Sequence, residues 1–132
     1  MTSAPDTGLH VLVVDDDPLN LRIAARLLRE LGHHGALVND GAKALKLADT
    51  QAFDVVLLDV NMPGMNGQDT LVALRSLVPQ GRRLPVLMVS GHADPGTQAH
   101  FLAHGADGFL TKPLESGTLA AALAGLARRG SP

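Results

Sequence analysis

Residues 10–18 read His-Val-Leu-Val-Val-Asp-Asp-Asp-Pro, an apolar run that stops at three consecutive carboxylates and a proline. An apolar run without alternating polar residues is typical of a strand buried on both faces of a parallel sheet. Proline is favoured in the first turn of a helix, where its missing N–H group leaves no hydrogen bond unmade. The stretch therefore predicts a strand over His10–Val14 and a helix that begins next to Pro18.

Four more apolar runs follow along the chain, and segments with helical spacing of their apolar residues lie between them. Further strands are predicted at Gly35–Val38, Val55–Leu58, Val86–Val89 and Gly108–Leu110. Helices are predicted over Asn20–Leu31, with Pro18 before the segment and Gly32 after it, over Ala42–Ala48 and Gln68–Leu77, near Gly96–Ala103, and from about Leu119 to Arg128 and Arg129. This alternation predicts a doubly wound α/β domain of the (βα)5 type, with helices on both faces of a parallel sheet.

The composition limits the size of the domain and the classes of function. The 132 residues suit one domain with one core, and 45% hydrophobic residues are a normal share for a globular protein. A net charge of −2 provides no field that attracts nucleic acid or an anionic membrane, and the lack of cysteine excludes disulfides and thiolate chemistry. Residues 1–8 lack the features of a secretion signal, and no apolar run is long enough to cross a bilayer. A cytoplasmic domain without a membrane or nucleic-acid partner is expected.

Polar side chains stand at the carboxyl ends of the predicted strands. Asp15 and Asp16 follow the first strand, and Asp59 follows the apolar run of the third. Ser90 and Lys112 stand at the ends of the fourth and fifth strands. Because open α/β sheets bind ligands at the carboxyl ends of their strands, these side chains are expected to converge on one edge of the sheet.

The three acids at that edge predict a bound cation. Carboxylates about 4 Å apart repel each other by roughly 4 kcal/mol at an effective dielectric constant of about 20. A cluster of Asp15, Asp16 and Asp59 therefore needs neutralisation, and oxygen ligands without cysteine favour Mg²⁺. Asp17 precedes Pro18 and is interpreted as a helix cap or turn former rather than as a ligand.

Lys112 stands in a Thr-Lys-Pro sequence directly after the last predicted strand. At this place its ammonium group could pair with Asp59 and later with a phosphoryl oxygen. Pro113 constrains the turn, and a cis Lys112–Pro113 bond is compatible with the small cost of the cis form before proline.

Four motifs in this order resemble those of the receiver domain of two-component response regulators. They are Val-Val-Asp-Asp-Asp at 13–17, Leu-Leu-Asp-Val-Asn-Met-Pro-Gly-Met-Asn-Gly at 57–67, Val-Ser-Gly at 89–91 and Leu-Thr-Lys-Pro at 110–113. The resemblance extends over residues 9–129, and residues 1–8 and 130–132 are expected to be flexible ends. It implies a flavodoxin-like fold, a five-stranded parallel sheet with the strand order 2-1-3-4-5.

The resemblance implies that the domain is a phosphoacceptor. Asp59 would take a phosphoryl group from a phosphohistidine to form an acyl phosphate, and Ser90 and Lys112 would bind the phosphoryl oxygens. This implies self-catalysed phosphotransfer and autodephosphorylation, and no enzyme activity on a separate substrate. Ser90 and Phe109 would be switch residues that change the partner surface, although Phe109 lacks a hydroxyl group, and plain core packing of Phe109 is the alternative.

The resemblance also implies a set of ligands for Mg²⁺. The carboxylates of Asp16 and Asp59 and the backbone carbonyl of Asn61 would bind the ion directly. Asp15 would act mainly through a metal-bound water. Asn61 and His92 would tune the lifetime of the phosphoryl group.

The implied partners are a sensor histidine kinase, a histidine phosphotransfer domain, or both. Residues 16–20 and 62–65 are similar to those of receivers attached to hybrid sensor kinases, whereas no particular kinase, output or oligomeric state is predicted. The alternatives are a scaffold that is not phosphorylated, an aspartate-nucleophile phosphatase and a flavin-binding module. The phosphatase class has a second aspartate where Asn61 stands, and a flavin module needs a Ser, Thr and Gly loop where this chain has three acids.

The histidines carry a weaker signal. His100 and His104 are spaced like metal ligands on a helix, but without a third ligand nearby they do not predict a zinc site. His33 and His34 are expected to lie in a loop.

Overall fold

A computed structural model describes residues 8–60, 62, 64, 66–77, 84–91 and 94–129. Strands and helices alternate along the chain throughout this part. The strands are β1 (His10–Val14), β2 (His34–Val38), β3 (Val55–Asp59), β4 (Val86–Ser90) and β5 (Gly108–Thr111). The helices are α1 (Pro18–Glu30), α2 (Gly41–Thr50), α3 (Gly67–Leu77), α4 (Pro95–Ala103) and α5 (Ser116–Arg129).

All neighbouring strands are parallel, in the order β2-β1-β3-β4-β5. This confirms the predicted doubly wound (βα)5 fold and its strand order. Alternate residues of the strands face two apolar clusters, one on each face of the sheet. One cluster includes apolar residues of α2, α3 and α4, and the other includes residues of α1 and α5. The central strands are covered on both faces, which explains their continuous apolar runs.

Four strands extend one residue beyond their predicted limits because the end residues take part in the ladder. Asp59 pairs with Val89, and Ser90 pairs with Thr111. The side chains of Asp59 and Ser90 are therefore carried on strands and not on loops. The prediction that His34 lies in a loop is wrong, because His34 pairs with His10 at the start of β2.

Three of the helices, α1, α2 and α4, begin at side chains that accept hydrogen bonds from the first backbone N–H groups. Asp17 caps α1, because its Oδ1 accepts the N–H of Leu19 at 2.9 Å, which confirms the interpretation of Asp17 as a cap. Asp40 and Asp94 cap α2 and α4 in the same way. None of the helices in the described ranges is long and apolar enough to cross a membrane.

Candidate functional site

Three aspartates meet at the carboxyl edge of the sheet. β1 and β3 are neighbours, so Asp15 after β1 lies beside Asp59 at the end of β3. Asp15 and Asp59 are only 5% and 4% exposed, whereas Asp16 is open to solvent. One oxygen from each carboxylate lies within 4.8 Å of the others. The predicted acidic cluster is therefore present, with two of its members buried.

Asp15 is held by protein groups on both oxygens. Its Oδ1 accepts the backbone N–H of Asp17 at 2.9 Å, and its Oδ2 lies 3.2 Å from the Nζ of Lys112. Its own N–H donates to the carbonyl of Val38 at 3.2 Å, which ties it to β2. Asp15 is thus fixed in place, and its charge is partly balanced by Lys112.

Lys112 reaches across the edge of the sheet to the acids. Its Nζ donates to Asp59 Oδ1 at 3.0 Å, as predicted, and its backbone N–H donates to the carbonyl of Ser90 at 2.8 Å. Burial by itself lowers the pKa of Lys112, but the hydrogen bond and charge of Asp59, together with Asp15, outweigh it and raise the pKa above the ordinary lysine value. The Lys112–Pro113 peptide bond is cis.

The two predicted switch residues lie on neighbouring strands. Ser90 is 2% exposed at the end of β4, next to β3, which brings it to the same edge as Asp59. Phe109 on β5 is half-buried, and its ring centroid lies 6.3 Å from that of Phe101 in α4. Phe109 therefore packs against the core as it stands, and its role as a rotating switch stays a prediction.

Acidic groups outnumber basic groups at this edge. Among the described residues, three carboxylates face the ammonium group of Lys112. All the donors of the cluster are oxygen atoms, which are the ligands that Mg²⁺ prefers. The cluster therefore fits Mg²⁺, and Asp15, Asp16 and Asp59 each offer one carboxylate oxygen.

Apolar side chains form the floor beneath the acids. A cleft between α1 and the turn after β5 is lined by Ile23, Leu57, Val89 and Leu114, with Asp15, Asp59 and Lys112 at the same cleft. An apolar floor strengthens the electrostatic interactions of the charged groups above it, because little water screens them.

Asn61 and His92 lie outside the described residues, so the carbonyl ligand and both rate-tuning roles stay predictions.

His100 bonds to Gln68 through Nε2 at 2.8 Å, and the Nδ1 of His104 bonds to the carbonyl of His100 at 2.7 Å. Within the described ranges, the three aspartates are the only group of three side chains that could hold a metal ion.

Sequence reasoning missed two features of the site. The backbone N–H of Asp17 orients Asp15, and no side-chain pattern reveals such a contact. Gly67, at the start of α3, packs against the backbone of Asp59 and Val60. The only sequence signal for Gly67 was its place at the end of the motif at 57–67.

The sequence of the chain is similar to those of known signalling proteins. A family model described as the response regulator receiver domain matches residues 11–124. The chain is 38% identical over 128 residues to the sensor histidine kinase RcsC of Salmonella typhimurium, covering 97% of this chain and 13% of that protein. It is 37% identical over 113 residues to the sensor histidine kinase GacS of Pseudomonas protegens, covering 84% of this chain and 12% of that protein. The chain therefore spans only a small part of these relatives.

A solved structure resembles the fold closely. It is the receiver domain of the sensor histidine kinase PA1611 from Pseudomonas aeruginosa, with a magnesium ion coordinated in the active-site cleft of that protein. The TM-score is 0.81 and the sequence identity is 30%, over 91% of this chain and 98% of the other.

Proposed function

The chain belongs to the response regulator receiver domain family, and we propose that it takes a phosphoryl group from a phosphohistidine onto Asp59 with Mg²⁺. The observation that carries this proposal is the ion pair between Asp59 and Lys112. Asp59 is buried, and the Nζ of Lys112 lies 3.0 Å from its Oδ1. Asp15 and Asp16 each place one carboxylate oxygen within 4.8 Å of an Asp59 oxygen. Such an arrangement places the ammonium group of Lys112 and a possible cation site beside one carboxylate, and transfer of a phosphoryl group requires positive charge near the phosphoryl oxygens.

The chemical step needs positioning and neutralisation of charge. A carboxylate oxygen of Asp59 attacks the phosphorus atom, the bond from phosphorus to the donor imidazole nitrogen breaks, and the electron pair stays on that nitrogen. Lys112 offers its ammonium protons to a phosphoryl oxygen, and Ser90 can donate one hydrogen bond to another. When bound, Mg²⁺ supplies positive charge to the phosphoryl oxygens.

The three aspartates differ in their contacts, and these contacts support different roles toward Mg²⁺. Asp16 is exposed, and it shares with Asp59 a group of carboxylate oxygens that lie within 4.8 Å of one another, which supports direct binding by these two carboxylates. Asp15 already uses both oxygens for Asp17 and Lys112, which supports a role through a metal-bound water. In the proposal the carbonyl of Asn61 completes the protein ligands.

The proposed partners are a sensor histidine kinase or a histidine phosphotransfer domain. The relatives RcsC and GacS are sensor histidine kinases, which supports a place for this domain in a phosphorelay. The proposal places it in the cytoplasm, where such kinases obtain ATP. It acts on no separate substrate: its chemistry is its own phosphorylation and dephosphorylation, at a rate tuned by Asn61 and His92. Phosphorylation would change the partner surface through Ser90 and Phe109.

Intact mass measurement tests the proposal. Incubation with acetyl phosphate and Mg²⁺ is expected to add one phosphoryl group to the wild type and none to Asp59→Asn, because the amide cannot act as the nucleophile. Asp49→Asn changes an exposed aspartate of α2 and is expected to gain the phosphoryl group like the wild type.

Two results would contradict the proposal. One is an undiminished mass gain in Asp59→Asn, which would move the modification to another residue. The other is the absence of any gain in the wild type, with acetyl phosphate and with phosphorylated kinases alike, which would favour a scaffold that is not phosphorylated.

A further inference from the structure

Gly67 is the first residue of α3 and lies directly against the backbone of the proposed phosphoacceptor. A Cβ atom added to Gly67 would lie 2.5 Å from the carbonyl oxygen of Asp59. It would also lie 2.8 Å from both the Cα and the carbonyl oxygen of Val60. All three are backbone atoms, so no side-chain rotation can relieve the contact.

Space, and not backbone conformation, explains this glycine. Gly32, Gly64 and Gly105 are the described glycines with a positive φ, and Gly67 is not among them. Gly117 lies near the start of α5, yet a Cβ there would meet nothing within 4 Å. The close contact at Gly67 is therefore a property of this position and not of helix starts in general.

Hydrogen bonds order the first turn of α3 and join it to the loop after β3. The Oδ1 of Asn66 accepts the N–H of Asp69 at 2.9 Å, and the carbonyl of Asn66 accepts both the N–H and the hydroxyl of Thr70. Thr70 is fully buried. The N–H of Gly67 donates to the carbonyl of Val60 at 3.1 Å, which joins the helix to the loop after β3.

We propose that Gly67 is a positioning residue, whose missing side chain lets the backbone of Asp59 sit where its carboxylate meets Lys112. The proposal rests on Asp59 being the phosphoacceptor. The N–H of Val60 donates to the carbonyl of Val89 at 3.0 Å, so the peptide of Asp59 is held between β4 and α3. A side chain at position 67 displaces that peptide and with it the carboxylate. A displacement of about 1 Å costs on the order of 100-fold in a reaction that depends on alignment.

Gly67→Ala tests this through three measurements on the purified chain. The rate of phosphorylation at saturating acetyl phosphate is expected to fall about 10- to 100-fold, with little change in the acetyl phosphate concentration that gives half the maximal rate. Calorimetric titration is expected to show weaker binding of Mg²⁺, because Asp59 is a proposed ligand. Circular dichroism is expected to show the secondary structure of the wild type.

Two control variants separate positioning from general damage to the fold. Gly117→Ala adds the same methyl group in open space and is expected to keep the wild-type rate. Asn66→Ala removes the cap of α3 without placing an atom against Asp59, so it is expected to lower stability and keep a rate close to that of the wild type. If Gly67→Ala is poorly folded, all variants are compared in trimethylamine N-oxide, which favours the folded state.

The outcomes distinguish this inference from the proposed function. A wild type that takes up no phosphoryl group overturns the proposed function itself. A phosphorylated wild type with an equal rate and Mg²⁺ affinity in folded Gly67→Ala overturns the role of Gly67 alone. An equal loss of rate in Asn66→Ala also overturns it, because any disturbance of α3 would then suffice.

Discussion

Each edge of the sheet holds a buried carboxylate bonded to a basic side chain, and the two edges differ in charge balance. At the amino-terminal edge, Asp107 accepts from Arg75 at 2.7 Å and from the N–H of Val86 at 2.8 Å. Arg75 also donates to the carbonyl of Gly105 at 2.7 and 3.0 Å. In the described part of the chain, Arg75 and Asp107 form the ion pair at this edge, and backbone groups take up further hydrogen bonds of both.

At the carboxyl edge, the described residues include more carboxylates than basic groups. Lys112 lies 3.0 Å from Asp59 and 3.2 Å from Asp15, and Asp16 adds a third carboxylate. A buried ion pair by itself therefore does not indicate function. The excess of like charge does, because a fold tolerates such repulsion where a bound cation relieves it.

The largest expected effect is a contrast between two substitutions, one at each edge: one removes phosphorylation and the other lowers stability. Asp59→Asn is expected to abolish phosphorylation and to leave the free energy of unfolding within about 1 kcal/mol, because it removes a charge from a repulsive cluster. Asp107→Ala is expected to lower the free energy of unfolding by about 3 kcal/mol, because it removes the carboxylate that pairs with Arg75 and the acceptor of the Val86 N–H. Urea unfolding measures the free energy of unfolding of both variants. It is followed by circular dichroism because the chain has no Trp or Tyr for fluorescence.

The control for this pair is the rate of phosphorylation of Asp107→Ala under conditions where it is folded. We expect that rate to equal the wild-type rate, because Asp107 lies at the other edge of the sheet. The comparison fails if Asp107→Ala loses phosphorylation while folded, or if Asp59→Asn is as unstable as Asp107→Ala.

A smaller effect is expected from Mg²⁺. An ion that binds only the folded state at 10 to 100 times its dissociation constant stabilises by about 1.4 to 2.7 kcal/mol, which corresponds to a rise in Tm of roughly 3–10 °C. The rise is expected in the wild type and in Asp107→Ala but is expected to be much smaller in Asp59→Asn. Thermal unfolding with Mg²⁺ and with EDTA measures it, and an unchanged Tm in the wild type would exclude the metal site.

The smallest effect is a difference in pH dependence between the two edges. The pKa of Lys112 is raised in the folded protein, so its stabilising effect is fully present below the ordinary lysine value of 10.5 and is lost as the pH rises through the higher folded value. In EDTA, the stability difference between the wild type and Lys112→Met should therefore shrink above that pH. The difference for Arg75→Met should stay constant, because the guanidinium stays charged. The same pH dependence of the stability difference in both variants would contradict this expectation.

Much of the site could be predicted because its side chains follow strands directly. Apolar runs fixed the positions of Asp15, Asp59 and Ser90 at strand ends, and parallel strands bring such ends to one edge. The link between Arg75 and Asp107 could not be predicted, since the residues are 32 positions apart and neither stands in a motif. The same holds for the strand limits, which depend on pairing between strands.

The sequence by itself determined the alternating α/β order, the group of acids and the lysine that faces them. These follow from local patterns: the period of apolar residues and the polar residues that end each run. Only the tertiary structure decided that Asp15 uses both oxygens within the protein and that Gly67 lies against the carbonyl of Asp59. Such contacts depend on distances of a few ångströms between segments that are remote along the chain, and spacing along the sequence does not specify those distances.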